Sequence, residues 1–228
     1  MAELVYNEQG RLLFTEEMKK EYTLLMPQML PVHFTMLKRV FELQGYKVDM
    51  LTTNHRGIVD EGLKYVHNDT CYPALLVIGQ LIDAVKSGKY DPHKVGLFIT
   101  QTGGGCRASN YIHLLRKALK RAGYGYVPVV SVNLSGLEKN PGFSLGFGMI
   151  IQMAYSMIYG DILVNLANQC RPYEIVEGET DRRIAKWVER LVAEFPKKGA
   201  FRRPHVVENF NAIVDDFASI PVHRTKKP

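Results

Sequence analysis

The chain has 228 residues, of which 46 % are hydrophobic and 23 % charged, as expected for a globular protein with a hydrophobic core. Three cysteines exclude a disulfide framework, and an N-terminus without an apolar signal segment predicts a cytoplasmic protein with reduced thiols. The net charge of +6 favours acidic partners such as nucleotides or CoA esters. The basic residues are nevertheless spread out, and their densest clusters ("LRKALKR", "KKGAFRR") look like solvated faces. The sequence contains no nucleic-acid-binding motif.

Apolar runs alternate with helical patterns through the first 140 residues. Runs at 22–28, 46–53, 94–100 and 127–133 predict strands. Helical spacing of apolar residues covers 32–45, 72–88 and 107–123. This alternation predicts an α/β fold with a mostly parallel, Rossmann-like sheet and helices on both faces.

The second half of the chain reads as mainly helical, with helices near 149–167 and 180–195, the latter capped by Thr180 or Asp181. The segment 142–167 is apolar enough to suggest a membrane span. Its Gln152 and Asp161 favour a buried helix instead, because polar groups in mid-membrane are costly. We therefore expect three regions: an N-terminal extension (1–20), an α/β domain (21–140) and a helical region (141–228).

The stretch "TQTGGGCRASNY" follows a predicted buried strand and precedes a predicted helix. Consecutive glycines before a helix expose backbone N–H groups, and the helix N-terminus and Arg107 lower the pKa of a thiol at Cys106. A phosphate cradle is an alternative, but the Walker ending and the dinucleotide fingerprint are missing, and Ile112 stands where a phosphatase loop needs arginine. A packing thiol in a tight turn remains equally open.

The two other cysteines also flank predicted helices. Cys71 precedes a helix with Pro73 in its first turn, and Cys170 lies just beyond the apolar helix. Three thiolates gathered at helix N-termini suit an iron–sulfur cluster, because N–H groups offset its negative charge. Zinc is less natural, since no histidine has ligand spacing, and His67 reads as a loop or core histidine.

The stretch 71–119, "CYPALLVIGQ…TGGGCRASNYIHLLRKAL", resembles the acyl-CoA dehydratase activase-related proteins. These are relatives of 2-hydroxyacyl-CoA dehydratase subunits, often fused to an ATP-dependent activase of the sugar kinase and actin class. The motifs "GLKYVHNDTCYPA", "VPVVSVN", "GLEKNPGF", "YGD" and "RPYE" extend the resemblance from about Leu24 to about Trp187.

The resemblance implies an α/β fold and cysteine ligands for an oxygen-sensitive cluster, either [4Fe-4S] or a double-cubane [8Fe-9S] type. It implies as partner an activase that carries its own [4Fe-4S] cluster and uses ATP hydrolysis to deliver a low-potential electron. In the dehydratases that electron makes a ketyl radical from the thioester, and water leaves. Cys71 and Cys106 match the motif cysteines. Cys170 is a third candidate ligand, but only the neighbouring "RPYE", and not this cysteine, matches the family.

Members of the family continue into a further α/β region, whereas this chain stops at "IPVHRTKKP". We therefore expect a fragment, a split subunit or a short member. A missing region would remove a cluster ligand or the substrate pocket. Whether the chain is itself an enzyme therefore stays open. If it is, it is a dehydratase or a component of an ATP-dependent reductase.

Three functions remain. The first is an iron–sulfur protein that accepts an electron from the activase and acts on an acyl-CoA. We expect it to form a homo- or hetero-oligomer and to bind neither nucleic acid nor a membrane. The second is a metal-free nucleotide or CoA-ester module, and the third is an interaction subunit whose site has decayed.

Arg171 and Glu174 are expected to form an ion pair that fixes a turn. The residues expected to contact the cofactor are Gly103, Gly104, Gly105, Arg107, Ser109 and Asn110. For Arg107, Ser109 and Asn110, capping of the helix N-terminus is the alternative, and it is equally open for Ser109 and Asn110.

Overall fold

The structure is a computed structural model that describes residues 2–67, 69–101, 110–133 and 138–223. Four parallel strands form one sheet in the order β2-β1-β3-β4. The strands are β1 (Thr23–Pro27), β2 (Lys47–Leu51), β3 (Val95–Gln101) and β4 (Val129–Asn133). All four predicted strands are therefore confirmed, and so is the α/β class with a helical C-terminal part. The order 2-1-3-4 is that of flavodoxin-type doubly wound sheets.

Eight α-helices accompany the sheet in the described part of the chain. They are α1 (Glu16–Glu21), α2 (Pro31–Leu43), α3 (Arg56–Tyr65), α4 (Tyr72–Lys86), α5 (Tyr111–Ala122), α6 (Phe147–Cys170), α7 (Glu179–Glu194) and α8 (Arg203–Ala218). Periodicity predicted α2, α4, α5, α6 and α7. It missed α1, which has six residues, and α3, and also α8, whose apolar residues Val206, Ile213 and Phe217 do recur at helical spacing.

The chain divides into two compact units. The α/β unit comprises residues 1–29 and 45–144, with the sheet, α1, α3, α4 and α5. The helical unit comprises residues 30–44 and 145–228, with α2, α6, α7 and α8. Thus α2, which the sequence assigns to the α/β domain, clusters with the helical unit. The first twenty residues belong to the α/β unit, where Phe14 and Met18 are fully buried.

The core of the α/β unit forms around β3 and α4. Val95, Leu97 and Ile99 on one face of β3 are at most 2 % exposed and Phe98 on the other face is fully buried, as expected for a parallel strand covered on both faces. The apolar face that periodicity predicts for α4 is buried throughout, which confirms that prediction. Its members are Ala74, Leu75, Ile78, Leu81, Ile82 and Val85.

Two glycines allow α3 and α4 to touch backbone to backbone. A Cβ on Gly79 would lie 2.1 Å from the carbonyl oxygen of Ile58, and a Cβ on Gly62 would lie 2.5 Å from that of Leu75. Real Cβ atoms do not approach this closely, so any larger residue at either position forces the helices apart.

The helical unit packs α2 against α6 at a third glycine. A Cβ on Gly160 would lie 2.3 Å from Cδ2 of His33, whose Nε2 lies 3.0 Å from the Asp161 carboxylate. The expectation that α6 is a buried helix is only partly correct, because Phe147 is 80 % exposed and Ile150 and Ile158 are also exposed. The helix α6 is long and apolar enough to cross a membrane. This is weak evidence for a membrane span, because core helices of soluble proteins have the same length and composition.

The beginning of α7 corrects two predictions. Its N-cap is Gly178, which has φ +79°, and the carboxylate of Glu174 accepts hydrogen bonds from the N–H groups of Gly178 and Thr180. Thr180 is therefore not the cap but a buried first-turn residue. Arg171 forms its ion pair with Asp181, at 2.8 Å, because Glu174 is engaged by the helix end.

Candidate functional site

A crevice opens where β1 and β2 end, at the edge of the sheet where doubly wound folds bind ligands. Its volume is about 560 Å³, within the range of small-molecule sites. Gln28 and Met29 follow β1, Thr53 and His55 follow β2, and Tyr111 begins α5. The crevice is thus built entirely from the α/β unit.

Gln80 fixes one wall of this crevice. Its Nε2 donates hydrogen bonds to the carbonyl oxygens of Thr53 (2.7 Å) and Leu51 (3.2 Å), which ties the end of β2 to α4. Sequence reasoning did not single this residue out. Periodicity carried no signal for it, because Gln80 lies off the apolar face predicted for α4; only the structure shows that it is buried and therefore needs these partners.

Cys71 lies beside the crevice as the N-cap residue of α4. Its thiol is half-buried against the core of the unit, and its Sγ lies 3.7 Å from the hydroxyl oxygen of Tyr111. The prediction that Cys71 stands directly before a helix is confirmed. Because Tyr111 is the first residue of α5, the thiol also lies next to the beginning of that helix.

Most of the glycine-rich stretch lies outside the described residues. This applies to Cys106, Gly103, Gly104, Gly105, Arg107 and Ser109. Asn110 is described: it is the exposed N-cap residue of α5, and its side chain makes no capping hydrogen bond. The described residues on either side of the stretch are Gln101 at the end of β3 and Asn110 before α5.

Cys170 has a different environment. It is the last residue of α6, in the helical unit, and not part of a turn beyond it. Its thiol donates to the carbonyl oxygen of Phe217 at 3.8 Å, and burial, together with the charge of Glu174, raises its pKa. These surroundings favour the neutral thiol over the thiolate that binds iron.

Of the two cysteines that match the family motif, the structure describes Cys71. Across residues 2–67, 69–101, 110–133 and 138–223, no three His, Cys, Asp or Glu side chains are grouped to hold a metal ion. Cys71 contributes one sulfur, the donor that iron–sulfur clusters require, so further ligands would have to come from the stretch around Cys106 or from another chain. His67 is exposed and pairs with Asp69, as expected for a loop histidine.

Comparison with known proteins adds no relative. Neither a family model, nor a curated protein, nor a solved structure matches the chain. Fold and site together define a doubly wound α/β protein with a half-buried thiol beside a crevice at the carboxyl ends of its strands.

Proposed function

We propose that the chain is an iron–sulfur protein related to the 2-hydroxyacyl-CoA dehydratases, with Cys71 and Cys106 as cluster ligands. One observation supports this most strongly: Cys71 Sγ lies 3.7 Å from the hydroxyl of Tyr111, five residues after Cys106 in the chain. The beginnings of α4 and α5, the described helices that follow Cys71 and Cys106 in the chain, therefore lie at the same edge of the sheet. When bound, the cluster would supply one-electron chemistry at low potential.

The chain's own residues would hold the sulfur and tune it. Cys71 is the N-cap residue of α4, so its sulfur would lie at the helix end that favours a bound negative charge. A hydrogen bond from the Tyr111 hydroxyl would further stabilise that thiolate, in the manner of outer-shell groups at metal sites. The partial burial of Cys71 limits the access of water and oxygen.

The neighbouring crevice would receive the reactive end of a thioester substrate. Its volume and its mixed lining of apolar and polar side chains suit a small acyl group. The proposal includes an ATP-dependent activase as electron donor and a cytoplasmic location, because free thiols and oxygen-sensitive clusters require a reducing compartment.

Iron and sulfide content, measured after anaerobic reconstitution, tests the proposal. The wild-type chain is expected to bind iron and to show thiolate-to-iron absorption in the visible range. Cys71→Ser and Cys106→Ser should each lose most of the iron, whereas Cys170→Ser, the matched control, should keep it because that thiol is held in its neutral form. A colourless wild-type protein would overturn the proposal.

The same crevice supports a second candidate, a metal-free site for a nucleotide or CoA ester. The observation in its favour is that the described residues form a cavity of small-molecule size at the carboxyl ends of the strands. It predicts that Cys106→Ser retains ligand affinity, which the cluster proposal does not.

A further inference from the structure

A second, larger cavity lies on the α/β unit along the edge strand β4 and the polar face of α5. Its volume is about 810 Å³, and it shares no lining residue with the crevice beside Cys71. Five cationic side chains and one carboxylate, Glu138, line it, so four positive charges are left unbalanced. The cations are Arg11, Arg116, Lys117, Lys120 and Lys139. We call this cavity the basic groove.

The two arginines of the basic groove are held in place before any ligand arrives. Arg116 binds both carboxylate oxygens of Glu138, at 2.6 and 2.8 Å, and donates to the carbonyl oxygen of Val129 on the edge strand. Arg11 contacts the same carboxylate at 3.4 Å and donates to the carbonyl oxygen of Lys139 at 2.8 Å. Ordered guanidinium groups lose little conformational entropy when they bind an anion.

One carboxylate does not neutralise two guanidinium groups. Burial and the nearby charge of Arg116 lower the pKa of Arg11, although Glu138 acts in the opposite direction. An anion in the basic groove would relieve this repulsion, and a multiply charged anion would relieve it most.

The lysines provide the remaining charge, and a tyrosine provides a flat surface. Lys117 and Lys120 are exposed, one turn apart on α5, and neither pairs with a carboxylate in the described part of the chain. Tyr6 lines the groove and is 52 % exposed, and its backbone is held by a bridge to Leu12. Exposed aromatic rings of this kind are stacking surfaces for nucleobases.

We propose that the basic groove binds a nucleoside triphosphate, with the phosphates on the cations and the base on Tyr6. The groove is concave and of small-molecule size, which favours a compact ligand over an extended polymer. This site is independent of the cluster proposal, since it uses neither the cysteines nor the crevice beside them.

Isothermal titration of the full chain with ATP, AMP, adenosine and inorganic tripolyphosphate tests this site. ATP is expected to bind, AMP more weakly and adenosine not measurably. The charge-reversal pair Lys117→Glu/Lys120→Glu should weaken ATP binding by about tenfold or more. The control pair Lys197→Glu/Lys198→Glu makes the same change on exposed lysines of the helical unit and should leave it unchanged.

Tyr6→Ala separates the base from the phosphates. It should weaken ATP several-fold but leave tripolyphosphate binding as it is, because only ATP has a ring to stack. Equal weakening by both charge-reversal pairs would overturn the proposal in favour of unspecific charge attraction. Binding of single-stranded RNA or polyglutamate without binding of ATP would also overturn it, in favour of a polymeric partner.

Discussion

The hydroxyl of Tyr111 lies 3.7 Å from the sulfur of Cys71, across forty residues of sequence. The contact joins the N-terminal ends of α4 and α5 at one edge of the sheet. It makes Tyr111 the described residue best placed to influence the reactivity of that thiol.

Replacing this tyrosine should slow the chemistry of Cys71. In Tyr111→Phe the sulfur loses the hydroxyl that lies 3.7 Å away, so an attacking thiolate would have one hydrogen-bond donor fewer. Iodoacetamide should alkylate Cys71 more slowly in Tyr111→Phe than in the wild type, as measured by mass spectrometry of the peptide that contains Cys71. In urea, where the chain is unfolded, the two proteins should be alkylated at the same rate. Tyr124→Phe removes a hydroxyl elsewhere in the same unit and should not change the rate. Faster alkylation in Tyr111→Phe would show that the hydroxyl only shields the thiol.

The helix contact at Gly79 should not tolerate a methyl group. Because a Cβ there would lie 2.1 Å from a backbone oxygen, Gly79→Ala must separate α3 from α4, at a cost of about 1–3 kcal/mol or more. Urea denaturation and soluble yield measure the effect. Gly148→Ala on α6 is the control, since a Cβ there meets nothing within 4 Å, and alanine should be neutral or slightly stabilising. Equal stability of the two variants would contradict the close contact.

Loss of the Glu138 charge should destabilise the α/β unit. Glu138→Gln leaves Arg11 and Arg116 close together without their shared carboxylate, and we expect a loss of about 1–3 kcal/mol. Thermal denaturation checks this, with the exposed Glu8→Gln of the same unit as control. Added salt should narrow the difference, because it screens the repulsion between the arginines. A stability equal to wild type would show that the arginines do not need this carboxylate.

The helical unit contains its own probe of acid stability. Trp187, the only tryptophan, donates to Asp216 at 2.7 Å, and Arg183 and Lys186 also pair with that carboxylate. Burial raises the pKa of Asp216, but these hydrogen bonds and charges outweigh it and hold the pKa below its ordinary value. The resulting stability is therefore present above the ordinary aspartate pKa and is lost as the pH falls through the lower folded value.

Urea unfolding followed by Trp187 fluorescence measures this effect between neutral and acid pH. Asp216→Asn should lower the free energy of unfolding by about 1–2 kcal/mol at neutral pH. Below about pH 4, the free energy of unfolding of this variant should fall less steeply with pH than that of the wild type. Asp215→Asn, which changes the exposed neighbouring aspartate, should behave as wild type. An unchanged acid profile in Asp216→Asn would assign the decline to other carboxylates, such as Glu194.

Local sequence determined the elements whose signal is a period. The strand β3 is a continuous apolar run because both its faces are buried, and the apolar face that periodicity predicts for α4 is the one that packs into the core of the unit. The position of Cys71 directly before α4 followed from proline in the first turn, since that residue type begins helices.

Tertiary structure alone decided which distant groups meet. The strand order, the contact of Cys71 with Tyr111 and the two arginines on Glu138 have no local pattern. Each depends on how separate elements pack, and the free energy of that packing is summed over contacts far apart in sequence. A period of 2 or 3.6 residues reports which face of an element is buried but not what covers it.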